Sequence, residues 1–256
     1  MHFYKHQKAI LLNGLLLVAL NSVAFTSSAG HVLLTEDTST QGAGNFLLEF
    51  MYEQSRHEAA DAQEVGRDTV WTLYYGLLDP LDLILGVPYS QLEVTGSPDV
   101  SGVGDMELAV KWRFYEKNAL SFALRPGIVF GTGDETQGLG TGKNTANMFG
   151  VMSYDAAPWW FHLHAGITDN RSVPEEREHL THYSAAVTRS FGDQWQLVAD
   201  ISRETNPDLS SNDDIESALF GIVYMPVPRF ELNAGYRAAI SDSAADVWLL
   251  GAAIQF

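Results

Sequence analysis

The sequence predicts an all-β fold, a transmembrane antiparallel up-and-down β-barrel of about 12 strands behind a cleaved N-terminal signal peptide. Three observations favour this fold class. Apolar residues alternate with polar ones with a period of two along most of the chain, which places the two sets on opposite faces of a sheet. Tight and long connections alternate between these segments. Aromatic residues collect at the segment ends beside the tight connections.

The alternation is clearest in residues 106–115, where Leu108 and Trp112 belong to one face and Glu107 and Lys111 to the other. Helical periodicity is not sustained anywhere in the chain that follows the signal. Tilted strands cross a bilayer with about 9–11 residues, and single-chain bacterial barrels have an even number of strands. The predicted strands lie at about 45–55, 66–77, 81–92, 104–115, 118–130, 143–154, 159–167, 180–191, 194–203, 215–224, 229–238 and 245–256.

The connections after even-numbered strands are tight, as at 78–80, 116–117 and 192–193. Outer-membrane barrels have short periplasmic turns and long outer loops, so this sorting favours a barrel. An exported β-sandwich, the main alternative, gives no reason for it. The connections predicted to be long and polar are 56–65, 93–103, 131–142, 168–179, 204–214 and 239–244.

The aromatic residues beside the tight connections predict one girdle at one membrane interface, where amphipathic rings prefer to lie. The last strand ends on Phe256 and resembles the C-terminal strand that the barrel-insertion machinery reads. We therefore expect that machinery to be a partner. The predicted girdle comprises Tyr75, Phe114, Tyr154, Trp159, Trp160, Phe191, Trp195, Tyr224, Phe230 and Phe256.

Residues 1–29 have the pattern of a secretory signal, with Lys5 and Lys8 preceding an apolar stretch and small residues at the expected cleavage site. We expect residues 30–44 to form a periplasmic N-terminal segment, in the periplasm or at the barrel mouth. Residues 45–256 are then the outer-membrane β-barrel.

The composition excludes several function classes. The 256 residues carry a formal net charge of −17, which argues against nucleic acid as a partner, because phosphate binding needs a surplus of Lys and Arg. The chain has 0 cysteines, which excludes disulfide scaffolds, thiol catalysis and Cys-based zinc sites.

The polar face of several strands predicts a charged barrel interior. Buried charges need partners, so these side chains form either a paired plug or a polar constriction that selects solutes. The candidates for lining or constricting the lumen are Glu107, Lys111, Arg113, Arg125, Glu231 and Arg237, with a cluster of Lys111, Arg113 and Arg125 beside Glu107.

Histidines on the inner face could serve metal binding or catalysis. His162 and His164 share a face, but the sequence places no third metal ligand with them, so polar filler is favoured. His182 and Ser184 also share a face, which allows a barrel hydrolase, but no G-x-S-x-G motif occurs. We predict no enzymatic activity, no catalytic, cofactor or metal site, and no cofactor.

Short motifs in order along the chain resemble the outer-membrane transporter family named for the meta-pathway of phenol degradation. Each motif alone is a turn or a strand end, and their order makes the resemblance specific. The matching stretches are 35–46 (TEDTSTQGAGNF), 75–83 (YGLLDPLDL), 86–89 (GVPY), 102–108 (GVGDMEL), 111–114 (KWRF), 125–127 (RPG), 132–134 (TGD), 138–142 (GLGTG) and 166–170 (GITDN).

The resemblance implies a barrel in the outer membrane of a Gram-negative bacterium, in contact with its lipids and lipopolysaccharide. It implies a channel or transporter for passive passage of small, hydrophobic or aromatic, solute molecules. The alternatives are a closed barrel that serves structure or surface binding through its acidic loops and, less favoured, an outer-membrane hydrolase. The sequence does not identify the solute, the oligomeric state or divalent-cation binding by the loops, nor whether the lumen is open.

Overall fold

The computed structural model describes residues 32–59 and 62–256, in which it has thirteen β-strands and one short 3-10 helix, Glu135–Gln137. The predicted signal peptide lies outside the described residues. The strands are β1 (Phe46–Ala59), β2 (Ala62–Leu78), β3 (Leu81–Val94), β4 (Val100–Val103), β5 (Met106–Lys117), β6 (Leu120–Phe130), β7 (Thr145–Ala156), β8 (Trp159–Asp169), β9 (His179–Phe191), β10 (Trp195–Glu204), β11 (Ile215–Val227), β12 (Phe230–Ala239) and β13 (Asp246–Gln255).

Each strand is antiparallel to its neighbours, and β1 closes the ring by pairing with β13 from Leu47↔Gln255 to Arg56↔Asp246. β4 and β5 both pair with β3, so together they make one barrel strand. The prediction of a twelve-stranded antiparallel barrel is therefore confirmed. Within residues 32–59 and 62–256, no helix is long and apolar enough to cross a membrane.

The predicted strand 104–115 begins at Met106 in the structure, and the predicted long loop 93–103 contains the short strand β4, which Gly104 and Asp105 separate from β5. Asp105 is buried, and its carboxylate accepts hydrogen bonds from the backbone N–H groups of Gly133 (2.9 Å) and Thr141 (2.7 Å). It thereby anchors the glycine-rich loop between β6 and β7 to the barrel wall. The strand breaks because Asp105 bonds to this loop.

The tight connections follow β2, β5, β7, β9 and β11, as the sequence predicts. Three of these turns use left-handed backbone, at Asn118 (φ 55°), Gly192 (φ 66°) and Arg229 (φ 75°). The predicted long loop at 56–65 is wrong, because β1 and β2 remain paired as far as Ala59↔Ala62. Polar composition does not prevent this, since the hydrogen bonds of a strand pair come from the backbone.

The outer face of the barrel is apolar. Leu163, Phe220 and Trp248 are 49%, 66% and 64% exposed although their neighbours along the strand face a buried interior. An outward apolar band with a polar interior is the arrangement of a membrane-spanning barrel. The predicted girdle is present beside the tight turns, with Trp195 stacked on Tyr224 at 4.2 Å between ring centroids.

A second group of outward aromatic residues lies toward the long loops and was not predicted. It includes Trp248, which packs on Tyr236 with ring centroids 4.8 Å apart, and Tyr183. Tyr183 is about 26 Å along β9 from Phe191 at about 3.3 Å per residue, which a strand tilt of about 35–45° reduces to about 19–22 Å across the membrane, near the height of an apolar band of about 25 Å. The two aromatic groups mark the two interfaces of the membrane-spanning region.

Residues 32–41, hereafter the N-terminal plug, lie inside the barrel. Val32 to Glu36 are each at most 5% exposed, and Val32 and Leu33 pack in a hydrophobic cluster with side chains from β9 to β13. Residues 42–45 join the plug to β1 at the end with the tight turns, where the Ala43 N–H donates to Asp79 (3.1 Å). This position in the lumen differs from the periplasmic segment expected for residues 30–44.

We predict that Leu163→Arg destabilises the folded barrel. Leu163 lies near the middle of β8 and faces outward, where a cation at the bilayer midplane costs about 2–4 kcal/mol. Urea unfolding of the protein in lipid vesicles should show a loss of that size. Leu209→Arg, in an exposed position of the loop between β10 and β11, should leave the free energy of unfolding unchanged. Equal effects of the two substitutions would contradict the lipid-facing assignment.

Candidate functional site

β5 and β6 bring three charged side chains together at the lumen wall. Glu107, Lys111 and Arg125 are at most 2% exposed, because they alternate with outward residues such as Leu108 and Leu124. Arg125 donates from Nη1 and Nη2 to the two carboxylate oxygens of Glu107, at 3.0 and 2.6 Å. This two-point geometry is the strongest form of an Arg–carboxylate pair.

The plug supplies further counter-charge for both cations of this cluster. The Glu36 carboxylate, 0% exposed, lies 3.3 Å from Lys111 Nζ through one oxygen and 3.3 Å from Arg125 Nε through the other. Asp37 Oδ1 is 3.7 Å from the same Nζ. Burying a charge costs several kcal/mol unless a partner of opposite sign lies close, so Glu36 offsets a cost that the wall alone would bear.

The backbone of the plug is hydrogen-bonded to side chains of the wall. The Thr35 N–H donates to Asp200 on β10 (2.7 Å), and the Gln41 N–H donates to both carboxylate oxygens of Asp82 on β3 (3.1 and 3.0 Å). The Thr38 N–H donates to the Ser153 hydroxyl on β7 (3.1 Å). An irregular segment needs such partners because its backbone groups have no ladder to join.

Glycine in the wall makes room for the inner end of the plug. A Cβ added at Gly221 would lie 2.5 Å from Val32 Cγ2, and one added at Gly235 would lie 3.2 Å from it. At Gly221, Val32 lies closer to the wall than any residue with a Cβ would permit. The shape of the lumen and the charges of its wall therefore both fit this segment.

The six lumen candidates fall into two groups. Glu107, Lys111 and Arg125 meet in one cluster with Glu36, whereas Arg113 does not join it and pairs with Glu116 at 3.2 Å. On β12, Glu231 accepts a hydrogen bond from Asn233 at 3.3 Å. Arg237, also on β12, donates to Glu53 at 2.7 Å.

Sequence reasoning missed Glu36 and Asp37 as lumen residues. They precede the first strand, so the period-two pattern assigns them no face. One signal was available. Glu36 and Asp37 form an acidic pair in a segment outside the predicted strands, and the predicted wall contains a cluster of cations that needs counter-charges.

The inward histidines contact polar and aromatic neighbours. His162 Nδ1 is 2.8 Å from the Ser153 hydroxyl, and the His164 ring centroid is 4.9 Å from that of Phe149 and 4.7 Å from that of His182. Among the residues that the structure describes, no three His, Asp or Glu side chains are arranged to hold a metal ion.

A cavity opens above the plug, toward the long loops. Its volume is about 910 Å³ with its open solvent included. Phe149, Leu180 and Ile215 give it apolar walls, and Asp105, Asn147, Asn170, Glu176, His182 and Glu204 give it polar groups. A small solute that enters from the loop side meets this cavity first.

One arginine ties the loops around this cavity together. Arg177 donates from Nη1 to the Asn206 carbonyl (2.7 Å) and the Asp208 carbonyl, and from Nη2 to the Ser211 carbonyl (2.6 Å). Hydrogen bonds from the Ser210 backbone N–H and hydroxyl lower the pKa of Asp208. Burial raises the pKa of Glu176, which faces Asp208 across a single β-bridge.

We predict that Glu36→Gln loosens the plug. The substitution leaves Lys111 and Arg125 without their shared partner, and breaking a buried pair costs about 3–5 kcal/mol. Because the chain has 0 cysteines, a single Cys at buried Thr35 reports its own accessibility. Maleimide labelling of that Cys should accelerate at least about tenfold in the Glu36→Gln background, as expected for more than about 1.4 kcal/mol.

The matched control for this labelling is Asp37→Asn, since Asp37 is partly exposed and its oxygen is 3.7 Å from Lys111. We expect a smaller acceleration. Labelling that is fast in the unsubstituted background, or unchanged by Glu36→Gln, would contradict the role given to Glu36.

Arg177→Lys should free the loop between β10 and β11. A lysine keeps the charge but lacks the planar fork that reaches three carbonyl oxygens. Hydrogen exchange at residues 205–214 should become faster, with no change in the unfolding of the barrel. Arg203→Lys is the control, because Arg203 is 63% exposed and bonds to Asp214 at the rim, where such pairs contribute little. Unchanged exchange in Arg177→Lys would show that the loops are held by other contacts.

Comparisons with solved structures reproduce this fold. An outer membrane channel from Pseudomonas putida F1 is similar at 15% sequence identity, with 86% of this chain and 98% of that chain covered and a TM-score of 0.65. A KdgM porin is similar at 8% identity, 82% and 99% coverage and a TM-score of 0.58. The KdgM porin in complex with disordered oligogalacturonate gives 7% identity, 82% and 99% coverage and a TM-score of 0.59. At these identities the likeness establishes the fold alone.

A search of curated proteins found no match. The family model described as "Putative MetA-pathway of phenol degradation" matches residues 35–256. This match includes both the barrel and the charged part of the plug, and it agrees with the resemblance carried by the sequence motifs. The chain therefore belongs to the phenol-degradation MetA-pathway family, and it is an outer-membrane β-barrel.

Proposed function

We propose that the protein is a passive channel for small molecules that opens when the N-terminal plug leaves its site in the lumen. The observation that carries this proposal is the material that fills the lumen centre. It is a segment held by ion pairs and hydrogen bonds to Glu36, Thr35, Thr38 and Gln41, not a set of interlocked wall side chains. A filling of this kind can be displaced while every strand pair stays intact.

The lining of the outer cavity favours hydrophobic or aromatic molecules as the solutes. Its apolar walls favour rings and alkyl groups, and a few polar groups on the walls orient them. The carboxylates Asp105, Glu176 and Glu204 at the cavity disfavour anions. We therefore infer that the solutes are neutral or cationic. We expect acidic sugars such as oligogalacturonate, present with the KdgM porin, to be poor solutes here.

A closed barrel for structure or surface binding is the second candidate. The observation in its favour is the close match between the plug and the charges of the wall, which leaves Glu36, Lys111 and Arg125 all paired. Such a barrel would hold the plug permanently. Current through the barrel separates the two functions.

The experiment compares three refolded proteins in planar bilayers under a salt gradient. We expect rare, small current steps from the unaltered protein, larger and frequent steps from a variant lacking residues 32–41, and intermediate behaviour from Glu36→Ala. Cation preference should accompany the open steps. Glu116→Ala, which removes an exposed partner of Arg113, is the control and should behave like the unaltered protein.

Heat-dependent migration in gels must show that each variant is folded. A folded variant without residues 32–41 that carries no current would contradict the channel proposal and favour the closed barrel. Large current from the unaltered protein, equal to that of the deletion, would contradict the gating role of the plug.

A further inference from the structure

We propose that the outer half of the lumen carries a serine ester-hydrolase site formed by Ser184, His182 and Glu204. The proposal does not depend on passage through the barrel, since the cavity beside these residues lies above the plug. The sequence alone favoured no catalytic role for His182 and Ser184, because it contains no G-x-S-x-G motif. The third residue, Glu204, is twenty positions after Ser184 and comes into place only through strand pairing.

The three side chains are connected by two hydrogen bonds. His182 and Ser184 are two residues apart on β9, so both face the lumen, and the register pairs His182 with Glu204 on β10. The Ser184 Oγ is 2.9 Å from His182 Nε2, and Glu204 Oε1 is 2.9 Å from His182 Nδ1. This order of hydroxyl, imidazole and carboxylate is that of the hydrolytic triads found on several unrelated folds.

The carboxylate determines which atom accepts the serine proton. An ionised carboxylate only accepts hydrogen bonds, so the proton on the neutral imidazole lies on Nδ1 and is donated to Glu204. Nε2 then has a free lone pair and accepts the hydrogen bond from the Ser184 hydroxyl. Glu204 thus orients the ring and holds the tautomer in which His182 is a base toward Ser184.

A substrate can reach this set from the loop side. His182 and Glu204 both line the outer cavity, and Ser184 is within one hydrogen bond of His182. The cavity offers Phe149, Leu180 and Ile215 to an acyl or aryl group, while Glu176 and Asp105 repel anions. The substrate class that fits is a neutral or cationic carboxylic ester with a short acyl chain or an aryl group.

The residue that we assign to stabilise the negative charge developing on the ester oxygen is His164. It lies directly opposite Ser184 in the β8–β9 register, and its ring centroid is 4.7 Å from that of His182. A neutral imidazole N–H is a known kind of donor to such an oxyanion. This assigns His164 a role that the other lumen side chains do not fill.

The reaction needs only the ester and water. The Ser184 Oγ attacks the carbonyl carbon and forms the acyl C–O bond while its proton moves to His182 Nε2. The ester C–O bond then breaks, and the leaving alkoxide takes that proton and departs as the alcohol. Water attacks the acyl-serine with His182 as base. The acyl–Oγ bond then breaks, the acid leaves, and the proton that His182 took from the water moves to the Ser184 Oγ.

A second serine–histidine contact in the lumen provides a comparison. Ser153 is 2.8 Å from His162 Nδ1, but its hydroxyl also accepts the Thr38 N–H of the plug. That serine lies under the plug, and its partner His162 does not line the outer cavity, whereas His182, the partner of Ser184, does. We therefore expect reactivity at Ser184 and none at Ser153.

The test uses the refolded full-length barrel and a fluorophosphonate probe, followed by peptide mass mapping of the labelled serine. We expect the added mass on the peptide that contains Ser184. We also expect hydrolysis of p-nitrophenyl acetate and butyrate to fall at least about a hundredfold in Ser184→Ala and His182→Ala, the size of a lost general base. Glu204→Gln should lower the rate and change its pH profile.

Ser202→Ala is the matched control, because Ser202 faces Ser184 across β9 and β10 and bonds to Ser217 at 2.8 Å. Its labelling and rate should equal those of the unaltered barrel. The mapping on the unaltered protein needs no variant, so misfolding of a substituted barrel cannot mask the answer. A folded barrel with no label on Ser184, or with ester hydrolysis unchanged in Ser184→Ala, would overturn the proposal.

Discussion

The contacts of Glu36 with Lys111 and Arg125 are the interaction on which the interior of this barrel depends. Two cations of the wall and one carboxylate of the plug are all at most 1% exposed, so none of them is hydrated as it would be in solution. Each charge is tolerable only because the others are present. The contacts therefore hold the plug in the lumen. The plug in turn compensates the charged side chains of the wall for their lost contact with water. The closed state follows from this mutual dependence, and so does the opening that we propose for the barrel.

The number of strands sets the volume of the lumen that contains the plug. Eight strands leave an interior that side chains just fill, whereas the wide porins leave an aqueous channel, and twelve lie between them. In this barrel the remaining space is divided along its axis. The plug occupies the part near the tight turns, and the outer cavity with His182 and Glu204 occupies the part near the long loops. The gate that we propose and a separate polar site thus share one barrel.

Much of the barrel could be predicted because membrane insertion imposes a simple rule on each residue. Period-two alternation correctly placed Glu107, Lys111 and Arg125 toward the lumen, and the sorting of connections gave the strand order. The rule contains no information on contacts between non-adjacent elements. It did not place Glu36, which belongs to no strand, it grouped Arg113 with Lys111 and Arg125, and it named no partner for Arg237. Glu204 was missed as a partner of His182 because only the β9–β10 register brings them together.

The position of the plug in the lumen is tested most directly by a disulfide between the plug and the wall. The hydroxyls of Thr38 and Ser121 are 2.5 Å apart, so cysteines at both positions of this cysteine-free chain should bond to each other on oxidation. Cysteines at Ser202 and Ser217, whose hydroxyls are 2.8 Å apart on neighbouring strands, report that oxidation works whether or not the plug is in place. With the plug in the lumen, we expect complete bond formation in both pairs. A bond between residues 202 and 217 without one between residues 38 and 121 would contradict that position.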